Sequence, residues 1–246
     1  MNTIEFNNHL SNEFNIHIED IPTLPSTTKV YEFKEIPGRR KGSLTKFKGY
    51  KDLEITLSCW FKCSDSLLFI EKKNLIIDWL CNYKDSNELK FSIFPNCHWK
   101  VKAAELSDFQ TKYKIVRCFT VKFTIEPFCY VENKIITLTK AGSIRNLGSI
   151  ESEPKITIYT NIQDKENGET ITLFINNQTV VLKKVTESNI TIDCELMNCY
   201  TTNESGVMIN TNQKMYTKFP VFEVGENNIS WVGNISKIEI DGRWCN

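Results

Sequence analysis

The sequence predicts a mainly β protein with one amphipathic helix in its first half and a β-sandwich in its second. Three observations carry this. Two stretches, Leu53–Phe61 and Lys114–Ile125, alternate apolar and polar residues. A run from Ser66 to about Tyr83 repeats its apolar residues at helical spacing. Beyond residue 150 the chain breaks into short apolar runs divided by turn residues, without helical period.

The strand assignments come from a period of two, which sends successive side chains to opposite faces. Leu53, Ile55, Leu57, Cys59 and Phe61 share one face. In the other stretch Ile115, Phe119, Val121, Phe123 and Ile125 share a parity with Arg117, against Lys114, Thr120, Lys122 and Thr124. Phe14–Ile18, Val30–Ile36, Leu89–Phe94 and Trp99–Ala103 are further candidates.

In the helix, Leu68, Leu75 and Trp79 form one stripe, and Phe69, Ile76 and Leu80 another. Spacings of seven and four put each trio on one side of a 3.6-residue turn. A lone amphipathic helix of this kind is expected to pack across one face of a sheet. Asp65 or Ser66 supplies the N-cap.

Glu126-Pro127-Phe128 ends the alternation, because proline cannot donate to a ladder. After Ile135–Leu138, the turn-rich Lys140–Ser143 and Asn146–Ser149 suit a linker or crossing. The expected domains are therefore 1–140 and 141–246. In the second, Lys155–Tyr159, Ile171–Ile175, Gln178–Leu182, Ile190–Asp193 and Ile235–Ile240 read as short strands at sandwich spacing. Asn176-Asn177 suits a two-residue hairpin loop, since asparagine tolerates positive φ.

At 246 residues, thirty basic side chains balance thirty acidic ones, so no global field steers the chain toward nucleic acid or an anionic membrane. The N-terminus lacks the basic and apolar regions of a signal peptide. Apolar runs such as Leu67–Ile70 are too short to span a bilayer. Synthesis in a cytoplasm is expected.

Nine cysteines form no C-x-x-C, and the three histidines all precede residue 99. That pattern favours free thiols packed as small hydrophobes over a zinc site. Neither a metal nor another cofactor is expected. No phosphate-cradling, dinucleotide, zinc-protease or nucleophile-elbow motif occurs, and no Cys–His pair stands out. The chain is not expected to be an enzyme.

Two features invite binding. Arg39, Arg40, Lys41, Lys46, Lys48 and Lys51 form a basic cluster with few aromatics, Phe47 and Tyr50. It suits a solvated loop or a contact with acidic residues on a partner better than a phosphate site. Trp231, Trp244 and Tyr200 are candidate platforms for stacking a sugar, or else ordinary core residues of the last strands.

The order of landmarks resembles the distal tail protein family of siphophages. Ile36-Pro37-Gly38-Arg39-Arg40-Lys41-Gly42-Ser43-Leu44 is similar to that family's P-G-R-x-G-x-L segment, with one extra residue before Gly42. Phe123-Thr124-Ile125-Glu126-Pro127-Phe128 closes a strand with P-F. Asn146-Leu147-Gly148 precedes Pro154, and Gly225-Glu226-Asn227-Asn228-Ile229 gives the late G-x-N-x-I. The co-linear set covers nearly the whole chain.

The resemblance implies a structural virion protein at the distal end of the tail. Its N-terminal domain would form a hexameric ring with copies of itself, joining the tail tube to the tail-tip protein. The C-terminal sandwich would be galectin-like and could meet a receptor-binding protein. Pro37, Gly38, Arg39, Arg40 and Gly42 become candidates for an intersubunit loop: proline and glycine fix its shape and arginine offers a planar fork of donors. The alternative is adhesion to cell-wall glycan through the C-terminal sandwich. A galectin-type site would use a histidine, and residues 141–246 contain none.

Overall fold

The structure, a computed structural model, describes residues 2–38, 40, 42–82, 86–132 and 134–246. It divides into two compact units, Met1–Tyr130 and Val131–Asn246.

In chain order the first unit contributes β1 (Ile4–Phe6), β2 (His9–Leu10), β3 (His17–Ile18), β4 (Lys29–Lys34), β5 (Leu44–Tyr50) and β6 (Leu53–Lys62). Helix α1 (Ser66–Cys81) follows, then β7 (Glu88–Phe91), β8 (Cys97–Leu106), β9 (Gln110–Lys112) and β10 (Val116–Ile125). β11 (Tyr130–Val131) stands where the chain passes into the second unit. The main sheet runs β2-β1-β7-β8-β10-β6-β3, with β9 beside β10.

The two clearest alternating stretches pair with each other. β10 and β6 are antiparallel from Val116↔Lys62 to Ile125↔Leu53 without a break. Their inward residues Ile55, Leu57, Phe61, Phe119, Val121, Phe123 and Ile125 are buried in one core. Tyr113 and Lys114 take positive φ, so the strand starts at Val116 rather than Lys114, and Ile115 stays exposed.

α1 is capped by Asp65, whose carboxylate accepts from the amides of Leu67 (2.7 Å) and Leu68 (3.1 Å). Ile76, Trp79 and Leu80 are buried against the sheet. The Trp79 indole donates to the Phe6 carbonyl (2.7 Å) and stacks on Phe14 at 4.6 Å. Only part of the expected packing forms. Leu68 and Leu75 remain exposed, because α1 lies on the sheet along the Ile76–Leu80 line.

The second unit contributes β12 (Ile136–Leu138), β13 (Gly142–Asn146), β14 (Lys155–Thr160), β15 (Glu169–Ile175), β16 (Gln178–Val185) and β17 (Asn189–Asp193). β18 (Asn198–Thr202), β19 (Met208–Asn210), β20 (Gly225–Val232) and β21 (Ile235–Asp241) complete it. Two sheets, β12-β21-β14-β17-β18-β19 and β13-β20-β15-β16, enclose one core of mostly isoleucine, leucine and valine. The Asn176 loop joins β15 and β16 as expected, with φ +50°.

The expected division at 140/141 falls later than the observed one. β12 pairs with β21, and β13 pairs with β20 from Gly142↔Ile229 to Asn146↔Gly225. Residues read as linker are thus strand. Ile144 faces the core, while Asn146 is buried and donates to the carbonyls of Ile150 (2.9 Å) and Phe222 (3.4 Å). Its own side-chain oxygen accepts the Gly148 amide at 2.8 Å.

Candidate assembly interface

β4 and β5 form a hairpin that, among the described residues, pairs with no other strand. Its register sets Tyr31 opposite Phe47, Glu32 opposite Lys46 and Phe33 opposite Thr45. One face therefore carries Tyr31, Phe33 and Phe47, with Tyr31 and Phe47 rings 5.9 Å apart. The other carries Glu32, Lys34 and Lys46, and Lys48 pairs with Glu32 at 2.7 Å. All six β4 residues are exposed, and Phe33 keeps 67% of its surface open.

The base of the hairpin is anchored. Lys51 donates its amide to the Thr28 carbonyl (2.9 Å), and Thr27 donates its hydroxyl to Pro127 (2.9 Å). Tyr50 meets the Phe128 ring edge-on at 4.8 Å. The Pro127-Phe128 of the sequence thus seats the hairpin's root.

The tip holds the loop candidates. Pro37, Gly38 and Arg40 lie in exposed turns, and Arg39 lies outside the described residues. Gly38 (φ +79°) and Gly42 (φ +70°) adopt left-handed conformations that a Cβ resists, although open space surrounds both. Residues 29–50 hold seven basic and two acidic side chains, a net +5 in a chain that is neutral overall.

A second apolar surface lies along α1. Leu67, Leu68 and Leu75 are exposed there, Leu67 to 72%. Beside them is a groove of 590 Å³ lined by Phe14, Leu68, Leu75 and Ile115 with Glu13 and Glu71; Lys62 and Lys72 also border it. The Lys72 amine sits 4.6 Å from the Phe61 ring centre, and burial lowers its pKa.

In the second unit the sequence candidates for sugar contact are largely covered. Trp244 is 1% exposed and rests against Phe222, and a Cβ on Gly242 would strike its ring at 2.2 Å. Tyr200 is buried at 4%. Trp231 is partly buried against the core from β20. Two of these three candidate sugar contacts are buried and Trp231 is partly so, and the structure does not bring them together on one strand: they lie on β18, on β20 and after β21.

Chemical groups elsewhere are quiet. All nine cysteines are free. Burial pushes the Cys59 and Cys194 thiols up to about 12, which keeps them protonated and unreactive. Among the described residues no group of three or more His, Cys, Asp or Glu is placed to hold a metal. No described helix is long and apolar enough to cross a membrane.

Sequence reasoning passed over the aromatic face of the hairpin. Tyr31 and Phe33 alternate with Glu32 and Lys34, a period of two that signals a strand but not whether its apolar side is covered.

A seven-strand sheet path carrying one helix, with a lone hairpin, followed by a two-sheet sandwich, matches a solved architecture end to end. The SPP1 Dit (gp 19.1) protein, described as a paradigm of hub adsorption apparatus in Gram-positive-infecting phages, superposes with a TM-score of 0.69. The alignment covers 98% of each chain at 9% identity. The chain has the fold of the phage Dit hub protein. Chains of the phage p2 baseplate in its activated conformation, with strontium or with calcium, give a TM-score of 0.51 at 11% identity, covering 98% of this chain and 97% of theirs. No family model matches the chain, and no curated protein matches it significantly.

The Dit fold gives the late motifs structural roles. Asn227 of Gly225-Glu226-Asn227-Asn228-Ile229 is fully buried. Its oxygen accepts from the Glu223 amide (2.9 Å) and the Asn176 side chain (3.0 Å), and its nitrogen donates to Glu223 (2.8 Å) and Gly225 (3.0 Å). Gly148 is required by closeness: a Cβ there would lie 2.3 Å from the Cys245 carbonyl oxygen.

Proposed function

We propose that this protein is a structural component of a siphophage or prophage tail tip, a distal tail protein that assembles with its own copies into a ring. The observation that carries this is the fold match to the SPP1 Dit hub protein over nearly all of both chains. The ring would be hexameric, join the tail tube to the tail-tip protein, and reside at the distal end of the virion tail. The N-terminal region, 1–140 in the sequence reading, would form the belt. The galectin-like sandwich would face other tail proteins, a receptor-binding protein among them.

The role needs surfaces rather than catalysis. Support comes from the hairpin, which exposes Tyr31, Phe33 and Phe47, and from the turn that presents Pro37, Gly38, Arg40 and Gly42. Arg39 belongs to the same loop in sequence. Glycan adhesion lacks such support, because the rings it would use are closed or partly covered.

Native mass spectrometry of the full chain over a concentration series tests the reading. A discrete species near six subunits is expected. A chain that stays monomeric, and that binds neither tail-tube nor tail-tip protein when they are added, overturns it.

A further inference from the structure

The outer face of the six-stranded sheet in the second unit sets polar side chains in register. Thr157 of β14 lies between Glu239 of β21 and Thr191 of β17, and Thr191 stands opposite Tyr200 of β18. In the next row Tyr159 lies between Lys237 and Asn189. The alternate residues Ile156, Ile158, Ile190, Ile192 and Cys199 fill the core, so the polar set points away from it.

That face is not flat. Thr191 and Tyr200 are each only 4% exposed, and Tyr200 belongs to neither hydrophobic core. Both line a recess of 360 Å³ bordered by Lys155, Tyr159 and Met208. Small-ligand sites usually occupy about 300–1,000 Å³.

The recess holds hydrogen-bonding capacity that the chain does not use. Among the described residues the Tyr200 hydroxyl has no partner. A buried phenol normally finds one. The Thr157 and Thr191 hydroxyls bond to each other at 3.1 Å. That bond consumes one of their two hydrogens and leaves the other for a ligand. One wall is already fixed. Tyr159 donates its hydroxyl to Glu239 (2.9 Å), and the Lys237 amine lies 4.2 Å from its ring centre.

The groups present select the ligand class. Hydroxyls donate and accept at once, and sugar hydroxyls match them in kind. An anion would need a surplus of cations. Here Lys155, Lys237 and Arg243 are balanced by Asp193, Glu239 and Asp241. Met208, exposed at the rim, offers an apolar side to a sugar's C–H face.

We infer that this recess is a subsite for a neutral saccharide, gripped edge-on by the hydroxyls of Tyr200 and Thr191 and by the amine of Lys155. Ring stacking plays no part in it, because the Tyr200 and Trp244 rings are buried. The site does not depend on the ring reading.

Saturation-transfer NMR on the full-length protein tests it, with glucose, galactose, N-acetylglucosamine, maltose, lactose and chitobiose as probes and glucose 6-phosphate as the anionic comparison. Transfer to at least one neutral sugar is expected, and weaker transfer to the phosphate. Tyr200→Phe removes only the unpartnered oxygen, so the melting temperature should hold while affinity falls about tenfold, the worth of one hydrogen bond. Thr191→Val should weaken binding similarly. Phe174→Ala, on the outer face of the other sheet, should leave binding unchanged.

No transfer to any of the six neutral sugars would overturn the site. So would binding that survives Tyr200→Phe, binding lost with Phe174→Ala instead, or a preference for glucose 6-phosphate. A lowered melting temperature for Tyr200→Phe would reveal an internal partner for the hydroxyl and overturn it as well.

Discussion

Two hairpins in this chain follow the same local rules and meet different ends. β15–β16 alternates buried Ile171, Leu173 and Ile175 with the outward Thr172 and Phe174, turns at Asn176, and buries its apolar side in a four-stranded sheet. β4–β5 alternates Tyr31 and Phe33 with Glu32 and Lys34 and leaves its apolar side open. Alternation specifies a strand with one dry face. It does not specify whose side chains do the drying.

The same contrast governs charge, and it predicts the largest difference. Arg243 grips Asp193 with two hydrogen bonds, 2.7 and 2.9 Å, and the Asp193 side chain is only 3% exposed. Lys48–Glu32 on the open hairpin is about half in solvent at both ends. Arg243→Met should therefore destabilise the fold by about 3–5 kcal/mol, leaving a buried carboxylate unpaired. Lys48→Met should cost under about 1 kcal/mol. Equal losses in urea denaturation would break the comparison.

Truncation of the apolar faces comes next. Leu173→Ala should cost about 2–5 kcal/mol through a lost side chain and its cavity. Phe33→Ala should stay within about 0.5 kcal/mol in the monomer. A large loss for Phe33→Ala, measured on dilute monomer, would mean the hairpin is covered after all.

Acid sharpens the charge contrast. Burial works to raise the Asp193 carboxyl, but the Arg243 fork, the Leu196 amide and the Arg243 charge outweigh it and hold the group below its ordinary value. A depressed pKa contributes stability above the unfolded value of about 4 that is lost as pH falls through the folded one. The second unit should weaken with acid over that window, and Asp193→Asn should flatten the slope while lowering stability at neutral pH. An unchanged slope would show the pair contributes nothing to acid sensitivity.

Smaller effects are expected from Asn227→Ala, about 1–3 kcal/mol for the polar groups it strands, and from Gly38→Ala, about 1 kcal/mol for placing a Cβ at positive φ. The first should lower the melting temperature clearly, the second barely.

Much of the fold was legible in the sequence where apolar residues mark the inward face. β6, β10 and the Asn176 turn are examples. β13 and β20 were not, because Asn146 and Asn227 occupy buried positions in them and their hydrogen bonds replace the expected hydrophobes. The candidate interface was legible in part. Pro37, Gly38 and Gly42 announced a shaped loop, but Leu68 and Leu75 looked like core, since helical spacing cannot tell a face buried in its own chain from one left exposed.

The open hairpin tip also makes assembly visible to a protease. Arg40 lies in an exposed turn, flanked by strands that, among the described residues, pair only with each other. In the free subunit that turn is the natural first cut for trypsin. In the proposed ring, copies that cover the hairpin should shield the same bond, so the ratio of nicked to whole chain would report on that assembly.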